Sequence, residues 1–212
     1  MGINNFRKKF NSAIDVLEKF NKAGYEAYFV GGCVRDFLLG CEFSDIDITT
    51  NALPEEVKTI FRKSIDTGIQ HGTVTILVNG ESYEVTTFRT EDDYIDHRTP
   101  EKVEFVSDLK EDLDRRDFTI NAMALNSKGK LYDYHCGEKD LRNKIIKTVN
   151  NPNERFFEDA LRMLRAIRFA AVLGFSIEEN TFAAICTLAD KLRLVSKERV
   201  FIELDKTVCS KN

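Results

Sequence analysis

Two aspartates one residue apart, Asp45 and Asp47, alternate with Ile46 and Ile48 in the segment SDIDITT. A period of two places both carboxylates on one face of an expected strand and the isoleucines on the other. Two carboxylates completed by substrate phosphates are the donor set that Mg²⁺ prefers, so Asp45 and Asp47 are candidate metal ligands in phosphate chemistry. Upstream, the apolar run AYFV (27–30) leads into Gly31-Gly32, where backbone amides can approach a triphosphate. Arg35 sits just inside the helix expected to follow, at the end of a helix that attracts anions. Glu84 falls on the second strand of an expected hairpin, with Tyr83 and Val85 facing the other way. It reads either as a third carboxylate of the same site or as a surface residue.

A second group of residues suits a nucleotide's base and sugar. Arg115, Arg116 and Asp117 stand directly ahead of an apolar run, and Arg116 beside Asp117 fits contact with a phosphate and a ribose hydroxyl. Further on, Asp159 and Arg162 are three apart, which makes them neighbours on one face of an expected helix. There the carboxylate can accept from an exocyclic amine while the guanidinium donates to a ring nitrogen, a pattern that matches C and A. U and G present a carbonyl at that place and would be repelled. Arg165 and Arg168 continue at steps of three, which lag the 3.6-residue turn and spiral around the helix. Arg168 falls near Leu161 and Leu164, which favours a buried structural or phosphate-directed role over base reading.

The elements that must position these residues follow from periodicity. Phe6, Phe10, Ala13, Ile14, Leu17 and Phe20 mark an amphipathic helix ending near Gly24. VRDFLLG is expected to form a brief helix stopped by Gly40, and Pro54 to open another. TVTILV (73–78), Asn79-Gly80 and ESYEVTTF (81–88) predict a hairpin with a type I′ turn. Residues 89–101 are polar and aperiodic and are expected to form a long surface loop. VEFV, LYDY and IIKTV read as short strands, the last two around a charged helical segment. From Pro152 the pattern becomes helical: one helix of more than five turns through NERFFEDALRMLRAIRFAAVLGF, then helical stretches at 178–192 and 196–207 with no strand between them. The chain is therefore expected to be α/β (α+β, with a mixed sheet) over residues 1–150 and all-helical over 151–212. The helical part reads as unfinished at its C-terminal end, because SKERVFIELDK starts at a capping serine yet finds no packing partner later in the chain.

Composition narrows the classes. With 212 residues, 42% apolar and 31% charged, the chain can bury a core and is neither disordered nor fibrous. No stretch approaches the roughly 18 to 20 apolar residues of a membrane span, and the N-terminus lacks the regions of a signal peptide, so a cytoplasmic location is expected. Five scattered cysteines without CxxC spacing read as reduced thiols. A formal net charge of −4 means that a polynucleotide partner must be gripped by a local patch or by chain beyond these residues.

GGCVRDFLLG followed by DID, RRDFTINAMA, EDALRMLRAIRF and SKERVFIEL, in this order and spacing, closely resembles the class II tRNA nucleotidyltransferases, the bacterial CCA-adding enzymes and their poly(A) polymerase relatives. The resemblance spans about residues 25 to 205. It implies a polymerase-β-type nucleotidyltransferase head and a helical neck. Gly32 and Arg35 would hold the triphosphate, Asp45 and Asp47 would bind Mg²⁺, and Arg116 would touch the nucleotide. Asp159, Arg162, Arg165 and Arg168 would lie on the helix that reads the incoming base. The segment between Arg89 and Glu101 resembles the flexible loop that CCA-adding and A-adding members keep. The implied activity is template-independent addition of C and A to the 3′ end of tRNA from CTP and ATP, with release of pyrophosphate. An A-adding enzyme, a poly(A) polymerase or an inactive RNA-binding fragment are the alternatives. Neither DNA nor a membrane is expected as a partner, and the oligomeric state is left open.

Overall fold

The computed structural model describes residues 3–94 and 100–210, the side chains of 3, 91–94 and 100–102 excepted. In chain order the first half contains α1 (Ile3–Lys22), β1 (Ala27–Val30), α2 (Gly32–Leu39), β2 (Asp47–Thr50), α3 (Pro54–Ile60), β3 (Ser64–Gly68), β4 (Thr73–Val78), β5 (Glu81–Thr87), β6 (Arg89–Tyr94) and β7 (Pro100–Phe105). There follow α4 (Leu109–Asp114), β8 (Met123–Leu125), β9 (Leu131–Asp133), α5 (Gly137–Arg142), β10 (Ile145–Ile146), α6 (Pro152–Glu158), α7 (Leu161–Leu173), β11 (Ser176–Ile177), α8 (Glu179–Leu188) and α9 (Lys197–Val208). The fold is mixed α/β. Contacts divide it into two compact units, one of Met1–Thr90, Val103–Leu113 and Asn121–Tyr134, the other of Glu91–Lys102, Asp114–Ile120 and His135–Asn212.

The first unit is built on a seven-stranded sheet in the order β3-β4-β5-β2-β1-β8-β9. Its strands pair antiparallel except β2 and β5, which are parallel. Alternation sends Phe29, Ile48, Val85 and Val74, which are register partners across four strands, to one buried face. Phe10 of α1 stacks on Phe29 with ring centroids 4.4 Å apart, and Phe6 and Phe37 pack around it. Burying rings of this size helps to hold α1, which is kinked at Asn11, against the sheet. On the opposite face Tyr28, Val30 and Ala124 meet Leu109 and Leu113 of α4. The hairpin of β4 and β5 turns at Asn79 and Gly80, both with positive φ (54° and 85°), as a type I′ turn requires.

The second unit packs α6 on α8 and α7 on α9 around Phe118, Phe156, Met163 and Ala166, all fully buried. Phe118 meets Phe169 edge-on at 5.7 Å.

Four expectations are corrected. The strand expected through SDIDITT starts only at Asp47, leaving Asp45 in the preceding coil. Part of the expected 89–101 loop is a two-stranded ribbon of β6 and β7, and residues 95–99 lie outside the described residues. The VEFV strand expected from the sequence falls largely within β7, but a lone ribbon is held by backbone hydrogen bonds and imposes no apolar alternation, so β6 goes unannounced. The long helix from 153 breaks at Asp159, whose φ and ψ (−140°, 104°) are extended and whose carboxylate accepts from the Leu161 amide at 3.0 Å. A short polar side chain that bonds nearby backbone competes with helix continuation there. Finally, β11 intervenes between α7 and α8, pairing parallel with β10.

Candidate active site

The acidic residues sit on the sheet unit. Asp47 opens β2, and its register partner on β5 is Glu84, which in turn pairs with Thr75 of β4. Register partners share a face, so Asp47 and Glu84 project together on the side opposite Ile48 and Val85. Asp45, exposed in the coil before β2, joins them in lining a cleft of about 610 Å³ with Glu81 and Thr75. Four carboxylates line this cleft and none of its lining residues is cationic, an environment that favours a bound cation. Among the described residues no group of three or more His, Cys, Asp or Glu gathers to hold a metal ion. The donor set fits Mg²⁺, which takes one or two carboxylates and leaves its other positions to water and phosphate oxygens.

The glycine pair is brought beside this cleft by the sheet itself. Val30, the last residue of β1, is the register partner of Asp47, and Gly31-Gly32 follow it directly. Gly31 takes φ 72° and ψ −134°, a conformation open to glycine, and turns the chain into α2. Gly32 is the first residue of that helix, so its amide and those of Cys33 and Val34 head the helix N-terminus. A Cβ on Gly32 would lie 3.7 Å from Arg35 Nη2, ordinary contact, which puts the guanidinium alongside the glycine turn. Arg35 is held in place: Nε and Nη2 donate to Asp36 at 2.8 and 2.9 Å, and Nη1 donates to Asn121 Oδ1 at 2.9 Å. Beneath the turn, burial pushes the Cys33 thiol up to about 12, and its Sγ donates to the Val30 carbonyl.

The remaining candidates belong to the helical unit. Asp159 and Arg162 do not form the expected pair on a helical face. Arg199 of α9 donates to both oxygens of Asp159, at 3.3 and 2.7 Å. Arg162, 8% exposed, bonds Glu158 and donates to the carbonyls of Arg155 (3.2 Å) and Arg115 (3.3 Å). Arg165 donates through Nε and Nη2 to one oxygen of Asp117 (2.8 and 2.7 Å), and that carboxylate raises the arginine's pKa. Arg168 pairs with the buried Glu203 at 3.0 Å and stacks over Phe169 at 4.4 Å. Arg116 is half-buried between Arg115 and Asp117.

Sequence reading did not single out Asn121, Arg199, Glu158 or Glu203 as partners of these residues. Asn121, Arg199 and Glu203 stand 86, 40 and 35 positions from their partners and leave no local signature, whereas Glu158 is four residues ahead of Arg162, a spacing at which an ion pair on one helical face is legible. For Arg199 and Glu203 the signal was their place in SKERVFIEL, a segment noted for its resemblance alone.

A seven-stranded mixed sheet carrying paired carboxylates beside a glycine turn defines a polymerase-type head. Consistent with this, the family model for the poly(A) polymerase head domain matches residues 27–147, and that for a probable RNA- and SrmB-binding site of polymerase A matches residues 174–212. The chain belongs to the poly(A) polymerase head-domain family. It is 53% identical over 212 residues to the CCA-adding enzyme of Ligilactobacillus salivarius, covering all of this chain and 52% of that protein. Among solved structures, the Bacillus stearothermophilus CCA-adding enzyme in complex with CTP superposes with a TM-score of 0.89 at 45% identity, over 96% of this chain and 49% of that one. A tRNA nucleotidyltransferase complexed with a primer tRNA and an incoming ATP analogue gives a TM-score of 0.75 at 34% identity, over 90% and 55% of the two chains. The chain thus spans about half the length of the relatives that it matches.

Proposed function

We propose that the chain carries the nucleotidyltransferase centre of a CCA-adding enzyme, which extends the 3′ end of tRNA with C and A from CTP and ATP. The register pairing of Asp47 with Glu84 beside the Gly31-Gly32 turn carries this reading. The likeness to relatives solved with CTP and with primer tRNA supports it. Residues 1–150 act as the head and 151–212 as the neck, in keeping with the head-domain match over 27–147. By contacts, 114–120 and 135–150 cluster with the helices of the neck.

In this reading the amides heading α2 and the Arg35 guanidinium bind the triphosphate, Arg35 being held in place by Asp36 and Asn121. Asp45 and Asp47, with Glu84 beside them, hold Mg²⁺, which when bound supplies charge for the 3′-hydroxyl and for the leaving pyrophosphate. The RNA 3′ oxygen forms a bond to the α-phosphorus as the bond to the pyrophosphate oxygen breaks in line, and the hydroxyl proton passes to solvent. Arg116 contacts the nucleotide's phosphate or ribose. Asp159 and Arg162 read the base, with Arg165 and Arg168 shaping the same surface. Arg199 and Glu158 now orient the two reading side chains. Among the described residues no helix is long and apolar enough to cross a membrane, and we place the protein in the cytoplasm.

Incorporation of CTP and of ATP, assayed separately on tRNA lacking its 3′ end with product masses recorded, tests the reading. Two C and one A are expected. Incorporation of A alone would make the chain an A-adding enzyme or a poly(A) polymerase, and no incorporation would leave an RNA-binding module.

A further inference from the structure

A third carboxylate serves the sheet face that carries Asp47 and Glu84, and it is hidden. Asp112 of α4 is completely buried. Its Oδ2 accepts from the Thr49 hydroxyl at 3.1 Å and its Oδ1 from the Arg89 amide at 3.4 Å. Thr49 is itself fully buried and lies two residues beyond Asp47 on β2, on the same face and about 7 Å along the strand. Its hydroxyl also lies 3.1 Å from the Thr86 carbonyl on β5, so it stands where the strands bearing Asp47 and Glu84 adjoin. The bond from the Thr49 hydroxyl to Asp112 ties β2 to α4 through this pair.

The other partner, Arg89, is the first residue of β6, at the root of the ribbon. That root is fastened repeatedly: Arg89 Nη1 donates to the His71 carbonyl, the Val106 amide donates to the Phe88 carbonyl at 3.0 Å, and the Phe105 ring packs against Gly72 so closely that a Cβ there would come within 2.6 Å of it. Asp112 bonds both this root and the strand of Asp47.

We propose that Asp112 is a positioning residue for nucleotidyl transfer. Acting through Thr49, it holds β2 in the register that sets Asp47 against Glu84, and acting through the Arg89 amide it ties the ribbon root to that strand. Asp112 is not a metal ligand here, since its oxygens face a hydroxyl and an amide that donate to it and it has no exposed surface to offer a cation. The proposal rests on the reading of the acidic cleft given above.

The test uses Thr49→Val, which keeps the shape and deletes the hydroxyl, Thr49→Ser, which keeps the hydroxyl, and Asp112→Asn. With tRNA and CTP, Thr49→Val should lower kcat roughly 10- to 100-fold and raise the Mg²⁺ concentration at half-maximal rate, with KM for CTP little changed. Thr49→Ser should restore both. Independently of activity, hydrogen exchange of the amides at 88–90 should quicken in Asp112→Asn while exchange across β1 and β8 stays protected. If Asp112→Asn does not fold, Thr49→Val and Thr49→Ser carry the test by themselves. A kcat unchanged in Thr49→Val, or a loss that Thr49→Ser does not recover, would overturn the proposal. If the unmodified protein transfers nothing, the reading of the cleft falls and this inference falls with it.

Discussion

The acidic cleft of the sheet unit and the arginine lattice of the helical unit position charge by different means. In the cleft, backbone pairing does the work: Asp47 and Glu84 meet because β2 and β5 are in register, and that register is enforced by Ile48 and Val85 buried on the reverse face. In the helical unit, side chains position one another: Asp159 by Arg199, Arg162 by Glu158, Arg165 by Asp117, and Arg168 by Glu203. The first arrangement tolerates loss of a functional side chain, because the strand beneath it does not depend on that side chain. The second couples function to local order, because removing one partner frees the other.

Asp47→Ala or Asp45→Ala probes the first kind of site and carries the largest expected effect. Transfer should fall by about three orders of magnitude or more, several kcal/mol of transition-state stabilisation, with the melting temperature within a degree or two of wild type. Incorporation within a few fold of wild type in either variant would remove that aspartate from the metal site.

Asp159→Ala probes the second kind. The ratio of kcat/KM for CTP over UTP should fall by roughly one to two orders of magnitude, since one base-reading contact is worth about 1–3 kcal/mol. Because Arg199 also loses its partner and Leu161 its capping oxygen, the melting temperature should drop as well, unlike in the aspartate variants of the cleft. A fall in melting temperature with an unchanged base ratio would mean that Asp159 is only a structural cap.

The smallest effect sharpens the same contrast away from the site. Burial opposes ionisation of Glu178, yet hydrogen bonds from the Thr181 amide and hydroxyl and from Asn180 outweigh it and lower its pKa. A carboxyl with a lowered folded-state pKa adds stability above its unfolded value and loses it as the pH falls through the folded value. Glu178→Ala should therefore cost about 1 kcal/mol near pH 7, the worth of a helix cap, and progressively less on acidification below pH 4.5. Denaturant unfolding at neutral and acidic pH measures the difference, and a cost independent of pH would assign it to packing instead.

Local patterning was enough for much of this molecule. The alternation from Asp47 onward and the Asn79-Gly80 signal specified β2, β4, β5 and their turn, although not where β2 begins, because strand alternation and type I′ geometry are imposed within a few residues. The glycine turn and the helix after it were equally legible, since Gly31 requires a conformation that other residues rarely adopt. Only the tertiary structure decided the rest. Helical periodicity continues unbroken through Asp159, yet the chain breaks there because its carboxylate accepts from the Leu161 amide that opens α7 and is gripped by Arg199, 40 residues away. The pairing of Asp47 with Glu84 joins strands that are not neighbours in sequence, and Asp112 reaches Thr49 across 63 residues. Residue types and spacing announce which groups can do chemistry, but long-range partners are chosen by how sheets and helices close on one another, and no local pattern encodes that choice.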